Sequence, residues 1–542
     1  MPMKKIRILL CLLLLTSLAC NSQTLNDTIA LIDKAMAVYL PENPGSQLSI
    51  KKNGKIIFSK AYGMADLEHN VPLTLTSKIE AGSVSKQFTA AAILLLEQQG
   101  KLSLNDDVRK YIPELPDYGD IITLEQMMHH TSGIKDWGSI AGLTGWGRTT
   151  KTFTNDDALL IISSQKTLNN KPGAEFIYSN SNYTLFAIII ERVTGLSLAE
   201  FTKQNIFIPA GMIHTEWRDN HNRIVKERAI AYDFDKGEYQ TNMPNEDAYG
   251  NGGLITNTED LLKWNEFYQS GKFGTPSLFS KQCKTEKFNN GKMNNYAAGL
   301  FMLKYNGYEQ IAHDGATASY RANLETFPEL NLSIAFLSNT SQFDKSKNPL
   351  NDILRNLFIS EKEKTKTEEK EKTINIPESV LYTYTGWYKN ERTGAGLKME
   401  IKDGKLFFNK LPFEAESENR FKNGSRIMEL NHKKGFLNYI TSTDTITFSK
   451  VQIAKHADLD SFTGKYFSAE TNSTLLIFQK EGKLFFQLKP KNEYQLVSTY
   501  QNAFNIMDYN GSVYFLKDKK NKINAMKVSL PRARNIEFVK LP

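Results

Sequence analysis

The chain has 542 residues, of which 40% are hydrophobic and 11% aromatic, enough for two or three globular domains. This composition excludes a fibrous or a disordered protein. The formal charge of +8 is spread along the sequence and forms no basic stripe with stacking aromatic residues, so we expect no nucleic-acid partner.

The N-terminus has the pattern of an export signal. Basic residues near the start precede an apolar run, Ile8–Leu15, that reaches Ala19 and is too short to span a bilayer comfortably. We therefore predict a signal peptide at residues 1–19. Cys20 follows as in a lipoprotein box, which predicts a lipid anchor in the bacterial envelope and no other contact with a membrane. The alternative is plain secretion, because the small residues Ser17 and Ala19 also suit an ordinary signal peptidase.

Composition divides the rest of the chain into three regions, the first of which is a mixture of helical and strand patterns at 25–359. Within it, the apolar runs Ala90–Gln99 and Leu185–Val193 are each followed by glycine within two residues and predict buried helices. The second region, 360–375, begins with a run rich in Glu, Lys and Thr. Because it has no apolar face, we predict a solvated linker or exposed spacer there.

The third region repeats itself. Two pairs of segments match at an offset of 78 residues: Tyr384–Tyr388 with Phe462–Tyr466, and Lys402–Phe408 with Lys480–Phe486. Two matches at one offset indicate a duplicated unit of about 80 residues. Turn signals at strand spacing predict a barrel or sandwich in each copy. We place these β repeats at 376–456 and 457–542.

The first candidate catalytic element is Ser83, with Lys86 three residues later at the start of the first predicted helix. Residues i and i+3 share a helix face, and a helix start offers free N–H groups and the positive end of the dipole. A serine hydroxyl needs a base or cation to become a good nucleophile, and Lys86 is placed to assist. Ser85 points elsewhere. Taken alone, the pattern also fits a capping serine beside a surface lysine.

The second element is Tyr178-Ser179-Asn180, just before the second predicted helix. A tyrosine beside a lysine can become acidic enough to shuttle protons, so we expect Lys86 to raise the acidity of Tyr178. Asn180 is predicted to orient Lys86 and to bind a substrate amide. Alone, the pattern also fits a tyrosine in a polar loop.

The third element is His313-Asp314-Gly315, followed by Ala316 and a strand-like run. A strand edge of small residues, such as Gly315, lets a substrate lie along the backbone. The N–H groups of Ala316 and Ser83 are expected to form an oxyanion hole. Alone, this element also fits a histidine in a turn.

Other motifs are incomplete, and we expect neither a metal nor a cofactor. His129 and His130 are adjacent but have no acidic or histidine partner at zinc spacing. Gly250–Gly253 is not followed by the Lys-Ser/Thr of a phosphate loop. The sequence has no G-x-S-x-G, which argues against an α/β-hydrolase.

Together, S-x-x-K at Ser83, Y-x-N at Tyr178 and H-x-G at His313 resemble the class C β-lactamases and the serine-type D-Ala-D-Ala carboxypeptidases, with their related esterases and D-aminopeptidases. The resemblance spans about Ile29 to Leu357. It implies an α+β fold of the β-lactamase/transpeptidase type, with an antiparallel sheet flanked by helices and a helical subdomain. The C-terminal repeats resemble the lipocalin-like modules appended to such hydrolases.

The resemblance implies a serine hydrolase that cleaves an ester or amide of a small molecule or peptide through an acyl-enzyme on Ser83. Lys86 and Tyr178 would exchange the protons. Alternatives are a β-lactamase, a peptidoglycan D,D-carboxypeptidase or endopeptidase, and a penicillin-binding-like receptor without turnover. The sequence leaves the oligomeric state open.

The third element departs from the family pattern. Penicillin-binding relatives usually have K-T-G there, and its lysine is a permanent cation for a substrate carboxylate. Here His313 takes that place and Asp314 adds a negative charge. Recognition of β-lactams and D-Ala-D-Ala is therefore in question. We predict that His313 titrates near neutral pH and binds an anionic end of the substrate.

Overall fold

The structure is a computed structural model that describes residues 27–148, 150–343, 350–362, 374–431, 434–453, 458–490 and 492–542. The predicted signal peptide, the predicted lipidation site Cys20 and most of the predicted linker, at 363–373, lie outside the described residues. Among those described, no helix is both long and apolar enough to cross a membrane.

Helices and strands are mixed along the chain as far as residue 384. The helices are α1 (27–36), α2 (Lys86–Gln98), α3 (Leu124–Met128), α4 (Trp137–Leu143), α5 (Asn155–Ser163), α6 (Asn180–Thr194), α7 (Leu198–Thr202), α8 (Ile208–Ala210), α9 (Thr258–Gln269), α10 (Pro276–Gln282), α11 (Leu350–Phe358) and α12 (Glu378–Tyr384). The strands before α11 are β1 (Ser46–Lys52), β2 (Lys55–Tyr62), β3 (Met64–Asp66), β4 (Val71–Pro72), β5 (Ile79–Glu80), β6 (Glu216–Trp217), β7 (Tyr232–Asp235), β8 (Glu238–Thr241), β9 (Leu254–Thr256), β10 (Phe301–Tyr305), β11 (Tyr308–Thr317), β12 (Tyr320–Phe327) and β13 (Leu332–Ser338).

The strands after α12 fall into two series. The first series is β14 (Gly386–Asn390), β15 (Gly396–Lys402), β16 (Lys405–Phe408), β17 (Leu411–Ser417), β18 (Arg420–Asn423), β19 (Arg426–Asn431), β20 (Phe436–Ile440) and β21 (Thr445–Val451). The second is β22 (Gly464–Ser468), β23 (Ser473–Lys480), β24 (Lys483–Lys489), β25 (Asn492–Tyr500), β26 (Ala503–Ile506), β27 (Gly511–Lys517), β28 (Ile523–Leu530) and β29 (Ala533–Lys540).

The main sheet has six antiparallel strands in the order β10-β11-β12-β13-β1-β2. Successive side chains of a strand point to opposite faces, so each face of the sheet has its own core. On β13, Ala335 and Leu337 belong to the core that contains α2 and α6. Ile334 and Phe336 pack on the other face, with α1 and α11. Helices therefore cover both faces, and the α+β fold class is confirmed.

Two buried helices position the site. α2 begins at Lys86 and α6 begins at Asn180, so the first residue of each helix is a predicted site residue. Both helices are buried along most of their length, as helices inside a core are. α6 ends at Thr194, and the next residue, Gly195, has the left-handed conformation (φ 73°) that usually stops a helix.

The C-terminal part forms two closed antiparallel barrels of eight strands each, β14–β21 and β22–β29, called the first and second barrel below. Equivalent hydrogen bonds show the duplication. The Tyr388 hydroxyl donates to the carbonyl of Tyr384 (2.9 Å), and 78 residues later Tyr466 donates to that of Phe462 (2.8 Å). The predicted all-β repeat region is confirmed.

Each barrel contacts the sheet-and-helix part through the turn before its last strand. In the first barrel, carbonyls of the β20–β21 turn accept hydrogen bonds from Lys292 Nζ at 3.2 and 3.3 Å. In the second, the β28–β29 turn accepts one from the Asp136 N–H (3.0 Å). The second contact is also apolar, because Ile140 and Leu143 of α4 pack in the hydrophobic cluster of the second barrel.

Candidate active site

Ser83 lies on a single 3-10 turn that leads directly into α2 and lines a cleft of ≈ 780 Å³. Gly82, just before it, has φ +49°, and a Cβ there would lie 2.7 Å from the Ala316 nitrogen, so only glycine allows this turn to touch β11. Ser85 is buried, donates to the carbonyl of Gly82 (2.6 Å) and accepts from the N–H of Leu254 (3.1 Å). It stabilises the turn and does not face the cleft.

Lys86 is fully buried, and its amino group makes three contacts. Nζ lies 3.2 Å from Ser83 Oγ, 2.9 Å from Asn180 Oδ1 and 2.5 Å from the carbonyl oxygen of Asn251. The two carbonyl groups can only accept, whereas the serine hydroxyl can donate. A neutral Lys86 therefore satisfies all three contacts, with two N–H donors on the carbonyls and its lone pair toward Ser83.

Burial is the main reason that the pKa of Lys86 lies well below its usual range, because a charged amine loses its hydration inside the protein. The positive charge of Arg148 lowers this pKa further, and the carboxylate of Asp136 opposes that effect. Lys86 is thus suited to accept the proton of Ser83. The expected role of Asn180 in orienting Lys86 agrees with this geometry.

Tyr178 lies beside Lys86, whose Nζ is 4.9 Å from the centre of the tyrosine ring. Its hydroxyl is buried and has no hydrogen bond of good geometry to any described residue. Burial raises the pKa of Tyr178, and the neighbouring Ser83 hydroxyl offsets only part of the rise. The expectation that Lys86 makes this tyrosine more acidic is therefore wrong. Burial disfavours the tyrosinate, and the lysine that would stabilise it is itself held toward the neutral form.

His313 does not have the properties predicted for an anion site. The residue is 3% exposed, and both ring nitrogens have hydrogen-bond partners. Nδ1 lies 2.6 Å from the carbonyl oxygen of Asp314 and therefore carries the proton, while Nε2 accepts from the Tyr296 hydroxyl (3.0 Å). Burial lowers the pKa of His313 to about 3. The prediction that it titrates near neutral pH is wrong, because an imidazole enclosed by aromatic rings cannot be hydrated when charged.

The N–H of Ala316 is placed for an oxyanion hole. In β11 and β12, Thr317 pairs with Tyr320 across a two-residue turn, and Ala316 pairs with Arg321. Antiparallel pairs alternate between hydrogen-bonded and non-bonded, so the Ala316 N–H points away from β12. The turn that carries Ser83 lies close to this nitrogen, since a Cβ on Gly82 would come 2.7 Å from it. The Ala316 N–H is thus free of β12 beside the turn that carries Ser83, which is what the expected oxyanion hole requires of it.

Comparisons with known proteins identify the family. A family model described as Beta-lactamase matches residues 30–357, more than half of the chain. The chain belongs to the beta-lactamase family of serine hydrolases.

Curated relatives in this family include Protein flp of Staphylococcus aureus (strain N315), 32% identical over 325 residues, or 58% of this chain and 64% of that protein. Penicillin-binding protein 4* of Bacillus subtilis (strain 168) is 28% identical over 319 residues, 54% of this chain and 67% of its own length. The chain thus spans somewhat less than two thirds of the flp relative.

Solved structures show the same fold. The octameric penicillin-binding protein homologue from Pyrococcus abyssi has a TM-score of 0.53 at 22% identity, covering 95% of this chain and 99% of its own. That coverage includes both barrels. FmtA from Staphylococcus aureus has a TM-score of 0.52 at 23% identity, covering 63% of this chain and 93% of its own.

Four residues in or next to this cleft were missed by the sequence reasoning: Asp136, Arg148, Asn251 and Arg532. Asp136 Oδ2 accepts the N–H of Asn180 (2.7 Å) and Oδ1 caps α4, so it fixes the start of α6. The backbone carbonyl of Asn251 accepts a hydrogen bond from Lys86. Every residue has such a carbonyl, so the sequence around Asn251 could not predict this contact. Arg148 and Arg532 reach the cleft through tertiary structure alone.

The histidines near the site are structural. His129 Nδ1 lies 2.9 Å from the carbonyl oxygen of Tyr296, and His130 Nδ1 accepts the N–H of Ser179 (3.2 Å). Within the described part of the chain, the group with metal-ligand spacing is Asp66, Glu68 and His69, and none of these lines the cleft.

Proposed function

We propose that this protein hydrolyses an ester or amide through a covalent acyl-enzyme on Ser83. The observation that supports this most directly is the contact of Ser83 with a buried Lys86 whose remaining contacts are both hydrogen-bond acceptors. A lysine in this setting is held ready to take up a proton.

In the proposed reaction, Lys86 Nζ takes the Ser83 hydroxyl proton while Oγ forms a bond to the substrate carbonyl carbon. The N–H groups of Ser83 and Ala316 stabilise the oxyanion. The bond to the leaving alcohol or amine then breaks, and that group takes the proton from Lys86 by way of the Tyr178 hydroxyl, which acts as a neutral relay. A water molecule attacks the acyl-enzyme in the same manner, releasing the acid and restoring Ser83.

A fluorophosphonate label followed over time tests the nucleophile. We expect the wild-type protein to be labelled and Ser83→Ala to remain unlabelled. Ser85→Ala is the matched control, because its hydroxyl lies two residues away but serves the turn. A melting curve for each variant confirms that it is folded. Labelling of Ser83→Ala at the wild-type rate would overturn the assignment.

A time course with a fluorescent penicillin and with a panel of esters and D-amino-acid peptides separates the alternatives. A hydrolase of the proposed kind turns over esters or amides in many cycles. A D,D-carboxypeptidase or endopeptidase cleaves the peptides, and a β-lactamase turns over the penicillin. A receptor retains one bound acyl group per molecule. Stable labelling without turnover of any substrate would favour the receptor.

We also propose that the protein is exported and attached to the envelope through a lipid on Cys20. The sequence pattern at residues 1–20 supports this. We expect the wild-type protein to sediment with membranes and Cys20→Ser to be released. A wild-type protein that is fully soluble in the periplasm would favour plain secretion.

A further inference from the structure

The turn between β28 and β29 of the second barrel forms part of the active-site wall. It consists of Pro531 and Arg532, between the paired residues Leu530 and Ala533. The carbonyl oxygen of Arg532 accepts hydrogen bonds from the N–H of Asp136 (3.0 Å) and from Asn169 Nδ2 (2.9 Å). Because Asp136 also fixes Asn180, which contacts Lys86, the turn is held by the same framework as the catalytic lysine.

Further contacts fix the second barrel in this position. Lys135, next to Asp136, forms a buried ion pair with Glu470 of the barrel (3.1 Å). Arg534, two residues after the tip, forms an ion pair with Glu175 at 2.9 Å. The position of the Arg532 backbone is therefore determined on both sides of the turn.

The side chain of Arg532 points into the cleft. The central carbon of its guanidinium lies 4.8 Å from the centre of the Tyr178 ring, and the residue lines the same cleft as Ser83. Its charge is also one of the smaller causes, after burial and Arg148, of the lowered pKa of Lys86. The cation is thus close to the reacting groups.

Arg532 differs from the two other arginines among the described residues of the cleft. Arg148 forms two hydrogen bonds with the carboxylate of Glu246, and Arg321 donates to backbone carbonyls. The guanidinium of Arg532 forms no ion pair or hydrogen bond with any described residue. An arginine with free donors, stacked on a catalytic ring, is suited to a carboxylate.

We propose that Arg532 binds a carboxylate of the substrate, so that the second barrel supplies the cation that the uncharged His313 does not. This inference rests on the proposed hydrolase function and narrows its substrates to esters or amides with a carboxylate near the scissile bond. Asp314 is the opposing charge in the cleft. It accepts a hydrogen bond from Asn323 (2.6 Å) and would instead favour a substrate ammonium.

The test uses the full-length protein with three matched esters: acetoxybenzoates with the carboxylate in the meta or para position, the corresponding acetoxybenzamides, and the acetoxybenzylamines. For each, kcat/KM is measured in the wild type, Arg532→Gln and Arg532→Lys. We expect the ratio of carboxylate to carboxamide kcat/KM to fall about tenfold or more in Arg532→Gln, as for one lost charge-assisted hydrogen bond. Arg532→Lys should restore part of that ratio.

Arg426→Gln is the control, since it removes the same charge from an exposed position on the first barrel. It should leave the ratio unchanged. Equal losses for carboxylate and carboxamide in Arg532→Gln would overturn the inference, because they would mean that Arg532 acts only through Lys86 or through barrel docking. The inference would also be overturned if the wild type preferred the acetoxybenzylamines and Asp314→Asn lost that preference, because the cleft would then select a cation.

Fluorophosphonate labelling distinguishes this failure from failure of the proposed function. A labelled wild type without carboxylate selectivity refutes the role of Arg532 and leaves Ser83 in place. A wild type that is neither labelled nor active refutes both. If the labelled protein turns over none of the esters, the binding of benzoate and of benzamide is compared instead, by how well each protects Ser83 from labelling. Stronger protection by benzoate than by benzamide then replaces the ratio of kcat/KM values. Absence of any benzoate advantage in that assay would again refute the role.

Discussion

Lys135→Met should weaken the contact between the second barrel and the sheet-and-helix part of the chain. The substitution removes the cation of the buried ion pair that joins them. Lys135 and Glu470 are 0% and 6% exposed in their side chains and lie 3.1 Å apart. Removing one partner of a buried pair costs about 3–5 kcal/mol, since the other charge is left without compensation. The N–H of Lys166 still donates to Glu470 Oε2 (3.2 Å), so the lower end, about 3 kcal/mol, applies.

Native-state hydrogen exchange measures this cost directly. Because each 1.4 kcal/mol corresponds to a factor of ten, amides of α4 and of the β28–β29 turn should exchange about a hundredfold faster in the variant. Lys405→Met is the matched control. Its partner Glu414 lies at a similar distance (3.2 Å), but the two side chains are 55% and 58% exposed. Such a pair contributes less than about 1 kcal/mol. Equal protection in the two variants would refute the reasoning.

Three further predictions concern the chemistry. The neutral form of Lys86 is the proposed base, and burial lowers its pKa. We therefore expect kcat/KM to rise with pH and to level off well below pH 10.5. A pH–rate profile that still rises around pH 10.5 would contradict this. Tyr178→Phe should lower kcat by about a hundred- to ten-thousandfold, whereas unchanged turnover would assign the proton transfers to Lys86 or water. Gly315→Ala should slow labelling of Ser83 strongly, because the new Cβ would meet the Ala81 carbonyl oxygen at 2.0 Å and displace β11; labelling at the wild-type rate would show that the oxyanion hole does not depend on this contact.

The convergence of the three motifs could be predicted from the sequence because each lies at the end of a strongly patterned element. Ser83 and Lys86 stand at the start of one buried helix, and Asn180 at the start of another. Because the starts of helices in a common core are held in fixed positions, short motifs at these starts predict which side chains meet. The barrels were predictable for a related reason, since the 78-residue offset is a property of the sequence itself.

The electrostatic state of the site could not be predicted in the same way. The charge of His313 and the acidity of Tyr178 depend on burial, and burial is decided by aromatic side chains from distant segments, such as Tyr296. Arg532 is separated from Ser83 by most of the chain, and its place in the cleft follows from the docking of a whole barrel. No local pattern around Arg532 distinguishes it from any other arginine in a turn.

Both barrels contact the sheet-and-helix part through the turn before their last strand. This arrangement has a consequence for how the substrate preference of such a protein can be changed. In the first barrel the β20–β21 turn accepts hydrogen bonds from Lys292, and in the second the corresponding turn carries Arg532 into the cleft. If Arg532 binds the substrate as proposed, the two copies of this turn have different tasks, because the first only supports a barrel and the second also contacts a ligand. The two residues at the tip of the second copy lie outside residues 30–357, the region that the family model matches. A library confined to those two positions therefore tests for new substrate preferences without changing any residue of the matched region.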